Sequence, residues 1–193
     1  MDAFLVSTSI VALAEMGDKT QLLSLVLAAR FRKPWPIIAG ILVATIANHA
    51  LAGALGDWIG GAVDAAVVRW VLGASFIAMA LWMLVPDKLS EDDIVVHSKW
   101  GVFGATTLAF FLAEMGDKTQ IATGMLGANY QAVLWVALGT TLGMVLANVP
   151  AVWLGERFIV RIPLRVVHSV CACIFLILAM AVLAAPVWQR LWS

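Results

Sequence analysis

Two stretches of this sequence place acidic, basic and hydroxyl side chains at the same fixed spacing. Residues 13–21 and residues 112–120 share the nine-residue sequence LAEMGDKTQ. Each copy supplies two carboxylates, one ammonium group, one hydroxyl and one amide, and neither copy supplies histidine or cysteine. Carboxylate, hydroxyl and amide oxygens are hard donors, which suit calcium, magnesium or manganese better than zinc or copper. The repeated motif therefore predicts an oxygen-lined site for a divalent cation.

The candidate ligands come in matched sets from the two copies of the motif. Four carboxylates and two ammonium groups have a net charge of minus two, which matches one divalent cation. Because like charges held close together disfavour ionisation, protons should compete with the metal for the same oxygens. The side chains expected to bind the ion are Glu15, Asp18, Thr20, Glu114, Asp117 and Thr119. Those expected to support the site or couple it to protons are Lys19, Lys118, Gln21, Gln120, Asn48 and Asn148, of which the two asparagines could add amide oxygens.

Local spacing predicts how each motif presents its charges. The glutamate, aspartate and lysine stand at positions i, i+3 and i+4, which share one face of a helix. Glycine stands between the two acids, as Gly17 in the first copy and Gly116 in the second. Glycine allows either a close approach of two backbones or a break in the helix, and a break would free backbone carbonyl groups to act as ligands.

The composition of the chain is that of an integral membrane protein. Hydrophobic residues make up 63% of the 193 residues and charged residues only 12%, whereas soluble domains are nearer one half and one quarter. Six charged motif residues facing lipid would cost about 15–20 kcal/mol, so they must face inward. A segment of about 20 apolar residues crosses a bilayer. We therefore predict an all-α fold with six transmembrane helices, at residues 3–29, 36–57, 67–86, 101–126, 131–154 and 164–187.

The two halves of the chain are predicted to be inverted repeats. Weaker matches accompany the motif, since Gly40 corresponds to Gly139 at the same offset and Asn48 corresponds to Asn148 with one residue inserted. Three helices in each half force the second half to enter the membrane from the opposite side. Secondary transporters commonly use this architecture, with the substrate site at the midplane between the repeats. The predicted division is residues 1–86, an acidic cytoplasmic linker at 87–100, and residues 101–193.

The distribution of lysine and arginine between the connections predicts the orientation of these helices. Eight of them fall in the first, third and fifth connections, and two on the opposite side. The positive-inside rule then puts those connections in the cytoplasm and both termini outside it. The basic residues on the cytoplasmic side are Arg30, Arg32, Lys33, Lys88, Lys99, Arg157, Arg161 and Arg165.

The doubled E-x-G-D-K-T motif, in two halves of three helices, resembles a family of cation/proton exchangers. That family includes Golgi calcium–manganese antiporters, a chloroplast manganese transporter and bacterial manganese exporters of the MneA type. The resemblance implies export of manganese, or calcium in some members, from the cytosol in exchange for protons, and a bacterial inner-membrane location. It also implies a metal site formed by both motifs, at Glu15, Asp18, Lys19 and Thr20 and at Glu114, Asp117, Lys118 and Thr119.

Other functions remain open at the level of sequence. A Ca²⁺/H⁺ antiporter would use the same oxygens, and a related exporter of a small organic solute would need apolar and aromatic residues near the site. A channel would conduct without proton coupling, and a scaffold would bind no metal. No nucleophile–base pair or cofactor motif indicates an enzyme, and no basic run indicates a nucleic-acid partner. The expected partners are the transported ion, protons and membrane lipid, with no resident cofactor; the oligomeric state stays open.

Overall fold

The computed structural model describes residues 1–85, 100–154 and 164–191, and almost all of them are helical. No strand occurs in these ranges. The helices are α1 (Asp2–Ala14), α2 (Lys19–Phe31), α3 (Pro34–Ala62), α4 (Ala65–Met83), α5 (Gly101–Glu114), α6 (Lys118–Tyr130), α7 (Val133–Leu154) and α8 (Leu164–Leu191).

Four of the described helices, α3, α4, α7 and α8, are long and apolar enough to cross a membrane. The prediction of an all-helical, multi-pass membrane protein is therefore confirmed. Helix α3 is longer than predicted, because it continues through the glycines near residue 60 to Ala62. At Gly60 the backbone of α6 lies so close that an added Cβ would stand 2.4 Å from the carbonyl oxygen of Ala128. Gly60 thus serves close helix packing rather than a turn.

The segments predicted as the first and fourth helices are each broken at the motif. Helices α1 and α2 have 13 residues each, which gives about 20 Å, too short to cross a hydrocarbon core of about 30 Å alone. The break between α1 and α2 contains Gly17 at φ 81°, and that between α5 and α6 contains Gly116 at φ 76°. These left-handed conformations favour glycine. The shared helix face expected from the spacing is therefore wrong, and of the two roles that glycine allowed, the structure has the helix break.

The same helix–helix contact recurs in the two halves of the chain. Gly40 of α3 faces α5, where an added Cβ would lie 2.9 Å from the carbonyl oxygen of Phe103. Gly139 of α7 faces α1, where the corresponding distance to Phe4 is 2.5 Å. Phe4 and Phe103 are related by the same offset as the motifs. Each half therefore packs its broken helix against a long helix of the other half.

Several predictions fall on residues that the structure does not describe. They are nearly all of the linker at 87–100, the connection from 155 to 163, and the basic residues Lys88, Lys99, Arg157 and Arg161. The division at residues 86 and 101 therefore stays a prediction.

Candidate metal centre

Four carboxylates from the two motifs meet inside the helix bundle. Glu15, Asp18, Glu114 and Asp117 each offer one oxygen, and these four atoms lie within 4.8 Å of one another. All four side chains are buried, with at most 2% exposure. Carboxylates this close together, away from water, repel each other unless a cation or protons balance their charge. The structure therefore brings the acidic residues of both motifs to one place.

Helix ends position these carboxylates. Glu15 directly follows α1, and Glu114 is the last residue of α5. Asp18 and Asp117 are the N-caps of α2 and α6, with extended backbone at ψ 166° and 165°. A helix carries partial positive charge at its N-terminus and partial negative charge at its C-terminus. The N-termini of α2 and α6 therefore stabilise the aspartates, while the C-termini of α1 and α5 attract a cation.

The motif threonines orient the glutamates. Thr20 Oγ1 donates a hydrogen bond to Glu15 Oε2 at 2.5 Å, and Thr119 Oγ1 donates one to Glu114 Oε2 at 2.8 Å. The second oxygen of each glutamate, Oε1, is buried and has no hydrogen-bond partner among the described residues. Each glutamate thus has one oxygen held by a hydroxyl and one available to an ion. The threonines, predicted as ligands, position the glutamates in this structure.

The motif lysines cross between the two halves. Lys118 Nζ pairs with Asp18 Oδ1, and Lys19 Nζ lies 3.6 Å from Asp117 Oδ1. The lysines therefore link the motifs, which differs from the alternative of Glu–Lys pairs within one helix. Their surroundings are unequal, since the side chain of Lys118 is 1% exposed and that of Lys19 is 22% exposed. Two identical sequence motifs thus have different environments.

The motif glutamines brace the helix breaks. Gln21 Oε1 accepts a hydrogen bond from the backbone N–H of Gly17 at 3.2 Å, and Gln120 Oε1 accepts one from that of Gly116 at 2.7 Å. These carbonyl oxygens point back to the backbone of their own motif. Both glutamines therefore hold the backbone at the helix breaks.

The two asparagines occupy different positions at the site. Asn148 Nδ2 donates to Glu15 Oε2 at 3.5 Å, while its Oδ1 accepts from Ser24 Oγ at 2.9 Å. Asn48 Oδ1 accepts from Gln120 Nε2 at 3.1 Å, and no hydrogen bond joins Asn48 to a carboxylate among the described residues. Both amide oxygens thus already accept hydrogen bonds. Sequence reasoning missed Ser24, although it lies one helical turn beyond Thr20.

Known proteins are similar in sequence to this protein over nearly the whole chain. A family model described as divalent cation/proton antiporter GDT1 matches residues 3–91 and 102–189. A candidate manganese exporter of Vibrio cholerae is 52% identical over 182 residues, covering 94% of this chain and 90% of that protein. A GDT1-like protein of Synechocystis is 26% identical over 206 residues, with 93% and 95% covered. GDT1-like protein 3 of Arabidopsis thaliana is 26% identical, with 91% and 68% covered. No solved structure matches the chain.

Proposed function

The chain belongs to the GDT1 family of divalent cation/proton antiporters, and we propose that it exports manganese from the cytoplasm in exchange for protons. One observation supports this most: four buried carboxylates from two identical motifs have oxygens within 4.8 Å of one another. The choice of manganese rests on the relative in Vibrio cholerae. Calcium is the second candidate, because both ions accept oxygen ligands.

We propose that the helices form six membrane spans in two inverted repeats. The first repeat contains the broken helix α1–α2 with α3 and α4, and the second contains α5–α6 with α7 and α8. The matching glycine breaks, the paired contacts of Gly40 and Gly139, and the two stretches of the family match support this arrangement. Broken helices at an interface between repeats are typical of ion sites in secondary transporters.

Charge balance suggests how exchange works at this site. Glu15, Asp18, Glu114 and Asp117, with two lysines, have a net charge of minus two when all are ionised. One divalent cation or two protons would leave the same neutral site. A buried site without net charge has a lower free energy inside the membrane than a charged one. The protein therefore alternates between a metal-loaded and a protonated form, with the ion as cargo and no resident cofactor.

The proposed orientation places the α2–α3 turn, with Arg30, Arg32 and Lys33, on the cytoplasmic side of a bacterial inner membrane. Both chain termini then lie on the other side. Helix α2 ends beside the start of α3 and α6 ends beside the end of α3, which fits two helices that lead from the site toward opposite faces.

Proton-driven transport is the first expected result. In proteoliposomes, an imposed proton gradient should drive Mn²⁺ uptake against the Mn²⁺ gradient. Metal affinity should fall between about pH 8 and pH 6, by about tenfold per pH unit for each proton that the metal displaces. Protonation removes the negative charge that binds the metal, so acidification lowers the affinity for Mn²⁺.

The same assay separates the alternatives. Liposomes without protein and liposomes given Ca²⁺ in place of Mn²⁺ are the controls. A faster proton-driven flux of Ca²⁺ than of Mn²⁺ would indicate a calcium transporter. Metal flux that does not depend on the proton gradient would indicate a channel or uniporter.

A further inference from the structure

A polar pocket lies at the turn between α2 and α3, and none of the four clustered carboxylates lines it. Its volume is about 270 Å³. Arg32, Lys33 and Trp35 line it from the turn and the start of α3, and Val152 and Trp153 line it from the end of α7. The two tryptophan rings meet edge to face, with centroids 5.6 Å apart. The pocket thus combines two cations with an aromatic wall, and none of its described lining residues is acidic.

The corresponding turn between α6 and α7 has different chemistry. Gln131 stands there at the offset that relates the motifs, and both Arg32 and Gln131 have left-handed backbone, at φ 51° and 48°. The pocket beside Gln131 is lined by Asp57 and Trp58, and its described lining residues include no cation. The two turns are therefore similar in backbone, but the pockets beside them differ in charge. Of these two pockets, only the one at the α2–α3 turn is lined by basic side chains.

We propose that the pocket at the α2–α3 turn binds the phosphate group of an anionic membrane lipid. A guanidinium group binds phosphate through two parallel hydrogen bonds, and a lysine adds a point charge, which gives Arg32 and Lys33 complementary roles. Basic pockets between transmembrane helices on the cytoplasmic side are typical sites for lipid head groups. The group expected to bind in the pocket is therefore a phosphodiester with a net negative charge.

The surroundings of the pocket favour a lipid over a free phosphate ion. Trp35 is 68% exposed and Trp153 is 59% exposed, as is typical of indole rings at a membrane interface. Both tryptophans and Val152 lie near the ends of helices that are long and apolar enough to span a membrane, where the glycerol and first acyl carbons of a lipid would contact them. A free phosphate ion has no apolar part, so these contacts would add nothing to its binding free energy.

Lipid titration of the purified full-length protein in detergent tests this site. Phosphatidylglycerol should raise the midpoint of thermal unfolding, whereas phosphatidylcholine and inorganic phosphate should not. The double variant Arg32→Gln/Lys33→Gln should weaken the apparent affinity for phosphatidylglycerol roughly 25-fold, about fivefold for each lost cation. Arg30→Gln is the matched control, because Arg30 is an exposed cation near the same turn that does not line the pocket.

Each other outcome overturns the proposal. Weakening of about fivefold by Arg30→Gln, which is as much per lost charge as in the double variant, would mean diffuse attraction rather than a site. Equal stabilisation by inorganic phosphate would mean a free-anion site, and equal stabilisation by phosphatidylcholine would mean no charge recognition. Native mass spectrometry counts retained phosphatidylglycerol without unfolding the protein, so it serves as the second readout. Equal retention by the double variant and the unsubstituted protein would also contradict the site.

Discussion

Asp18→Asn and Asp117→Asn are each expected to reduce manganese transport at least about a hundredfold, beyond the 10–100-fold typical of residues that only support metal ligands. Each change keeps the shape of the side chain and removes one charge from the cluster. Because a divalent ion needs about six oxygens, one motif alone offers too few without several waters. Both aspartates are buried in the same carboxylate cluster, so if the cluster is one site the double variant should show little further loss.

Asp64→Asn is the matched control for these two variants. Asp64 is also the N-cap of a helix, α4, but it is exposed and lies outside the carboxylate cluster. Asparagine caps a helix as well as aspartate, so transport should remain near that of the unsubstituted protein. If Asp18→Asn and Asp117→Asn each left about half of the transport rate, the motifs would be two independent sites.

Lys118→Gln is expected to lower the thermal unfolding midpoint far more than Lys19→Gln. Lys118 is 1% exposed and pairs with the buried Asp18, whereas Lys19 is 22% exposed. Removing one partner of a buried ion pair costs about 3–5 kcal/mol, which corresponds to roughly 10 °C for a chain of this size. An ion pair in partial contact with solvent contributes about 1 kcal/mol or less.

Added Mn²⁺ gives this comparison a second readout. A divalent ion in the cluster replaces the positive charge lost with Lys118, so Mn²⁺ should stabilise Lys118→Gln more than it stabilises the unsubstituted protein. Measurements at about pH 8 keep protons from competing with the metal. Equal destabilisation by Lys118→Gln and Lys19→Gln would contradict the unequal environments of the two lysines.

The carboxylate cluster could be predicted from the sequence, because two identical charged motifs in apolar segments must both turn away from lipid. Burial of Glu15 and Glu114 followed from the high free energy of placing a charge in lipid. The helix break was left open, because Gly17 is compatible with both a break and a close helix contact. The shared helix face was wrong because Asp18 caps α2 instead of continuing α1. A local spacing rule applies only while the helix continues.

Contacts between the two halves of the chain could not be predicted from the spacing of residues in the sequence. The pairing of Lys118 with Asp18 depends on how far apart the repeats lie, which no local pattern reports. Asn48 and Asn148 correspond in sequence only with an inserted residue, and their partners differ accordingly, Gln120 for one and Ser24 for the other. The unequal burial of the two lysines is likewise a property of the assembled bundle, because their motifs are identical.

Binding stoichiometry tests most directly the claim that both motifs build one exchange site. Mn²⁺ is titrated into the purified protein at about pH 8 and about pH 6 by calorimetry in buffers of different ionisation enthalpy, which counts ions bound and protons released. The four clustered carboxylates predict one ion per chain at both pH values, with more protons released and weaker binding at the lower pH. Two ions per chain, or binding without proton release at either pH, would contradict a single site shared by metal and protons.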